Sequence, residues 1–185
     1  MGICSAGTLK YRAAAIPVLV VTIIIFCSMC AAPEPQQPTP TKVNVSGMML
    51  ALSLEQLVEQ ADVILTGTVT GIESKGDSLS KNIYTNAMVS VDQVIKGQPG
   101  ATDITIKVQG GAVDGLIKAV EDAPSFQQNE RVLLFLKSNA DNTMTVIGNL
   151  QGKGVIEEGK VRSVVASING LSLVELRTRI AAQKK

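Results

Sequence analysis

The sequence predicts a mainly β protein. Five to seven short antiparallel strands form a closed or partly closed barrel, with a helix near each end, behind an N-terminal transmembrane or signal helix. Three observations carry this. Residues 13–32 are apolar and hold no charge. Beyond them, β-branched residues alternate in short runs separated by Gly, Pro, Asn and Asp. Two capping boxes, beginning at Ser53 and Ser172, bracket those runs.

A helix rises about 1.5 Å per residue, so roughly 20 apolar residues cross a hydrocarbon core. Residues 13–32 meet that length, with Pro17 in the tolerant first turn. Ser28, Ala31 and Ala32 after Phe26 also suit a cleaved signal peptide, so anchor and cleaved leader both remain open for residues 1–32. Lys10 and Arg12 precede the run, and Glu34 is the first charge after it. The positive-inside bias therefore exports the C-terminal part in either case. The expected location is the cell membrane, single-pass with the C-terminal domain outside, or secreted if the leader is cleaved. Cys4, Cys27 and Cys30 all lie in this leader. Cys27 and Cys30 match a lipidation site poorly, and Ala6 breaks the myristoylation pattern that Gly2 begins.

Pro33, Pro35, Pro38 and Pro40 make residues 33–42 an extended, stalk-like linker. Asn44-Val45-Ser46 behind it is a glycosylation sequon, with Asn44 the candidate acceptor. Residues 43–185 are then one domain, with 14 Lys/Arg against 15 Asp/Glu.

Within it, Ser53 and Gln56 cap an amphipathic helix of about three turns carrying Leu54, Leu57, Val58 and Ala61. Residues 63–73 alternate as a strand: Val63, Leu65, Gly67 and Val69 share one side, Ile64 and three threonines the other. Gly67 and Gly71 predict bending there. Polar residues 74–82 predict a loop, 84–97 a strand with Ala87, Val89 and Val91 in period two, and 103–109 a strand with Ile104, Ile106 and Val108 inward. Residues 110–130 read as a long, irregular, Gly-rich connection. Residues 131–137 are a strongly apolar strand, turned at 140–142 into 143–148. A hairpin about Glu158-Gly159 follows, and Ser172 with Glu175 caps a final helix bearing Leu173, Leu176 and Ile180. Residues 148–154 look superficially like a phosphate loop. They have three residues rather than four between the glycines, and Gly154 where Ser or Thr would hold magnesium, so a bent strand is expected.

The segments ADVILTGTVTGIES (61–74), VDQVIKGQPG (91–100), ITIKVQGG (104–111), FQQNERVLLFLK (126–137) and GNLQGKGVI (148–156) together resemble a family of exported prokaryotic domains. Those domains are similar to the OB-type barrel of the tissue inhibitors of metalloproteinases (TIMP-like). The resemblance covers about residues 50–160 and implies an OB-like barrel; most members have no assigned activity. Asn129 stands where the family tends to have Gly, and Asn tolerates the positive φ of such a turn. The true inhibitors present an N-terminal cysteine to the protease zinc. The barrel here has no cysteine, so the resemblance does not extend to that mode.

The chain has no His and no Trp, and its cysteines are confined to the leader. A metal site of the usual zinc or copper ligands and a His-activated nucleophile are therefore excluded from the domain, leaving no catalytic residue, cofactor or metal to expect. Asp114, Glu121 and Asp122 lack calcium-site spacing and read as a solvated loop. Single-stranded nucleic acid needs aromatic platforms on a basic groove; the domain is near neutral and holds only Tyr84, Phe126 and Phe135, so nucleic acid is not an expected partner. Binding of protein or peptide survives. Val113, Leu116, Ile117, Val120 and Phe126 in the long connection are the candidate interaction residues, or else the cap of an open barrel end. The expectation is a non-catalytic binding module, attached to the membrane through residues 13–32, with an envelope protein or peptide as partner. An envelope hydrolase or transferase with an unrecognised site, and a purely structural envelope component, are the alternatives.

Overall fold

Turn chemistry and alternation set most of the elements. The computed structural model describes residues 41–45, 50–77 and 82–183, all within the compact unit 38–185. The apolar run 13–32 lies outside the described residues. Among those described, no helix is long and apolar enough to cross a membrane.

In chain order the elements are β1 (Thr41–Val45), α1 (Leu54–Gln60), β2 (Val63–Asp77), β3 (Asn82–Lys96), β4 (Asp103–Gln109), β5 (Gly111–Val113), β6 (Leu116–Val120), β7 (Arg131–Ser138), β8 (Met144–Val146), a 3-10 turn (Asn149–Gly152), β9 (Lys153–Glu157), β10 (Lys160–Arg162) and α2 (Leu173–Ala182). Both capping boxes form: Ser53 and Ser172 each accept from the backbone N–H three residues on, while Gln56 and Glu175 reach back. α1 is shorter than its sequence pattern suggests. Ala61 is already extended (φ −74°, ψ 127°), and the Lys96 ammonium binds the Val58 and Ala61 carbonyls at 2.6 Å each, ending the helix.

The larger sheet has seven strands in the order β10-β9-β7-β2-β3-β4-β8, and β8 pairs back onto β7. Strands β7, β2, β3, β4 and β8 thus close a ring of pairings. Every pairing in it is antiparallel except β4 with β8, a parallel contact at the single register Ile106–Met144. The β2–β3 ladder slips at Ile64/Leu65, Thr66/Gly67 and Val69/Gly71, so the predicted bending falls where the glycines are. Gly67 admits a close backbone approach: a Cβ there would sit 2.5 Å from the Ser90 carbonyl oxygen.

Two expected loops are shorter than the sequence suggested. β2 continues to Asp77 and β3 begins at Asn82, so most of 74–82 is ladder. The 110–130 connection contains the β5–β6 hairpin, turned by Asp114 (φ 49°) and Gly115 (φ 76°), the two positive values a type I′ turn requires. β1 lies parallel along β6 from Thr41–Leu116 to Val45–Val120, completing a three-stranded sheet, β1-β6-β5. Residues 149–152 form a 3-10 turn rather than a bent strand, and β9 follows it directly. The Glu158-Gly159 hairpin forms as predicted, again with two positive φ values (51° and 78°).

The core has two compartments, and β7 separates them. Val132, Leu134 and Leu136 join Val63, Leu65, Val69, Val89, Ile106 and others inside the ring. Leu133 and Phe135 point the other way, joining Ile64 against α1, α2, Ile156 and Ile168. A strand buried on both faces reads as a continuous apolar run, which is why residues 131–137 show no alternation. Gln151 is the buried polar tie between the helical side and the turn: its Oε1 accepts from Leu52 N–H at 2.7 Å and its Nε2 donates to Leu50 O at 2.9 Å.

Candidate recognition surface

The sequence-chosen residues do not form one patch. Val113 and Leu116 are cross-strand partners and Val120 shares their side of the hairpin, whereas Ile117 pairs with Ala112 on the opposite side. Leu116, beside the hairpin turn, is 54% exposed; Val113, Ile117 and Val120 are half-buried. The hairpin is held to the β2–β3 ladder by polar contacts. Lys118 Nζ donates to Asn82 Oδ1 at 2.8 Å, and Thr85 Oγ1 donates to Gly110 O at 2.8 Å while meeting Ser74 Oγ at 3.0 Å.

Phe126 lies apart, packed with Ala123 against the core inside the ring. Lys153 stands 4.7 Å above its ring centroid and clamps the segment: Nζ donates to Ser125 O and pairs with Glu130 at 2.7 Å. Asn129 turns at φ 64°, a value Asn tolerates, and its N–H donates to Val69 O while Val69 N–H donates to Glu130 O. Phe126 therefore caps the interior. Asn44 falls in β1 opposite Ala119, while Ser46 of its sequon lies outside the described residues.

A further partly exposed face of the sheet lies elsewhere. α1, α2 and the 3-10 turn cover the side shared by β2, β7 and β9, whereas β3 and β4 turn Tyr84, Asn86, Met88, Thr105, Lys107 and Gln109 away from the interior. Met88 is 43% exposed. The one-register contact between β4 and β8 lets these strands splay on both sides of it, and a cleft opens at each. One, of about 430 Å³, is bounded by Asp103, Thr105, Asn139 and Thr143; the other, of about 270 Å³, by Tyr84, Lys107, Gln109, Pro124 and Thr145.

Lys107 sits between the clefts, 4.9 Å from the Tyr84 ring centroid and 3.1 Å from Asp141. Asp141 accepts from Thr143 Oγ1 at 2.5 Å and from Thr143 N–H at 3.1 Å. The Thr143 hydroxyl first, and then Lys107, hold the Asp141 carboxyl down at about 2. Because the folded value lies below the unfolded one of 3.8, the stabilisation is complete above about pH 4 and is lost as pH falls through about 2. The thermal midpoint of the protein should accordingly exceed that of Asp141→Asn at pH 6, and the gap should narrow steeply between about pH 4 and pH 2. A gap independent of pH would mean the carboxylate's charge is not what matters.

The remaining perturbed groups are exposed and structural. Glu55 is lowered chiefly by the Ser53 hydroxyl, Glu175 by the Ser172 backbone N–H and hydroxyl, and Arg162 is raised by Glu157. Among the described residues no three His, Cys, Asp or Glu side chains converge as a metal site would need. Sequence reasoning missed Tyr84, Lys107 and Asp141 as a group. The polar alternation of 103–109 was visible, but nothing local shows that β8 lies beside β4. No model of a known protein family matches the chain, and comparison with curated proteins finds no significant match.

Proposed function

We propose that this protein is a non-catalytic binding module: an OB-like, TIMP-like barrel displayed outside the cell and tethered by residues 13–32. Its partner is an envelope protein or peptide. The observation that carries the reading is the partly exposed β3–β4 face. There Tyr84, Met88 and the Lys107–Asp141 pair offer aromatic, apolar and charged contacts between two clefts. Interfaces concentrate their energy in a few such side chains, with aromatic residues, Met and Arg enriched. No cofactor or metal enters this reading, and the face is too poor in aromatic and basic residues for nucleic acid.

A photo-activatable residue at position 88 should give a discrete cross-linked adduct in intact cells, and one at the helix-face position 59 should not. Lys107→Ala and Met88→Asp should each weaken that adduct's formation by about tenfold or more. Their thermal stability should stay within about 0.5 kcal/mol of the parent, as for other surface changes. Adducts at 59 as readily as at 88, or turnover of peptide or glycan substrates by the purified chain, would refute the proposal.

A further inference from the structure

Among the described residues, half-buried cations are given partners, with one exception. Lys96 donates to two carbonyls, Lys107 pairs with Asp141, Lys118 with Asn82 and Lys153 with Glu130. Arg177, midway along α2 and also half-buried, has no ion pair or hydrogen bond among the described residues, and its Nε–H is buried without an acceptor. An unmet buried donor is costly, more so when it is charged, and such a group in a fold calls for an explanation. Arg177 also forms one wall of a groove of about 210 Å³ whose other walls are Val94, Ile95, Ile180 and Ala181. Val94 faces it 41% exposed.

We propose that this groove binds the C-terminal residue of a peptide or protein, with the free carboxylate on Arg177 and an aliphatic side chain against Val94, Ile95 and Ala181. The planar guanidinium fork matches a carboxylate with two parallel hydrogen bonds. In taking it, the guanidinium turns so that Nε and one Nη donate side by side, and the orphaned N–H gains its acceptor. Volume selects the occupant. Sites that bury drug-sized molecules run to about 300–1,000 Å³; this groove is smaller, room for one aliphatic side chain and a carboxylate rather than a lipid tail. A peptide end carries both groups within a few bonds of each other. The carboxylate on the same helix, Glu175, does not compete, because it is held by the Ser172 backbone and hydroxyl at 2.9 and 2.8 Å. The groove shares no lining residue with the β3–β4 face, so the inference goes beyond the function proposed above.

The test titrates the full chain in detergent with a labelled tetrapeptide ending in leucine, as free acid and as carboxamide, by fluorescence anisotropy. The acid should bind, and the carboxamide at least about tenfold more weakly. Arg177→Gln should cost a similar factor and Val94→Asp should abolish binding, with circular dichroism confirming that both variants fold. Equal affinity for acid and amide, or affinity unchanged in Arg177→Gln, overturns the proposal. So does binding of neither peptide, whether or not Arg177 then proves necessary for attachment to phosphatidylglycerol vesicles. None of these failures touches cross-linking at position 88, so the two proposals fall separately.

Discussion

Phe135→Ala is expected to destabilise the protein by about 3–5 kcal/mol, the usual cost of removing a buried aromatic side chain from a core. Phe135 is 1% exposed and lies on the helical side of β7, among α1, α2, Ile64 and Ile156. It is the largest fully buried side chain among the described residues, so its loss empties a volume that two short helices can only partly refill. α1 has seven residues, too few to be helical alone, and depends on that packing. Urea unfolding followed by far-ultraviolet dichroism would read the change. A loss under about 1 kcal/mol would show that the helical compartment contributes little and that the ring of strands stands by itself.

Lys153→Met should cost about 3 kcal/mol, for a different reason. Lys153 and Glu130 are only 10% and 14% exposed, and removing the cation leaves Glu130 without its counter-charge and Ser125 O without its donor. The double variant Lys153→Met/Glu130→Gln should recover much of the loss, since breaking a sheltered pair is worse than removing both charges. The single-variant effect should also persist at about 1 M salt, because screening acts weakly on groups so little exposed. A salt-sensitive loss below about 0.5 kcal/mol would mark the pair as an ordinary surface bridge and release Phe126 from its role as a cap.

The elements read correctly from sequence are those whose cause is local. Ser53-Gln56 and Ser172-Glu175 declare their helices within four residues, and Glu158-Gly159 declares its hairpin. The inward side of β4 followed from alternation alone, since only one side of that strand is buried. Asp114-Gly115 carries the same turn chemistry, yet the strands beside it are three and five residues long and lack a buried side to alternate against. Their strand character comes from β1 and from the β2–β3 ladder, which sequence reading could not place beside them. The candidate surface was hidden for a related reason. Tyr84 and Lys107 meet through the β3–β4 ladder, but Asp141 joins them only because β8 closes on β4, a pairing of residues 106 and 144 with no local signature. Of the five apolar residues between 113 and 126, pairing puts Val113, Leu116 and Val120 on one side of the hairpin and Ile117 on the other, while Phe126 packs apart against the ring interior.

How the strand edges end has a consequence for self-association. An open edge is a template on which neighbouring chains can stack. The ring leaves none where β8 meets β7 and β4. Beyond β10, Val161 exchanges hydrogen bonds with Gly170 and Leu171, and Lys160 bridges to Ser172. Among the described residues, β5 and β1 keep one side unpaired, and so do β2 beyond Val69 and β4 on either side of its single pairing with Met144. Crowded copies therefore meet interrupted stretches of free backbone rather than one long, flat margin, which limits stacking while the native state holds.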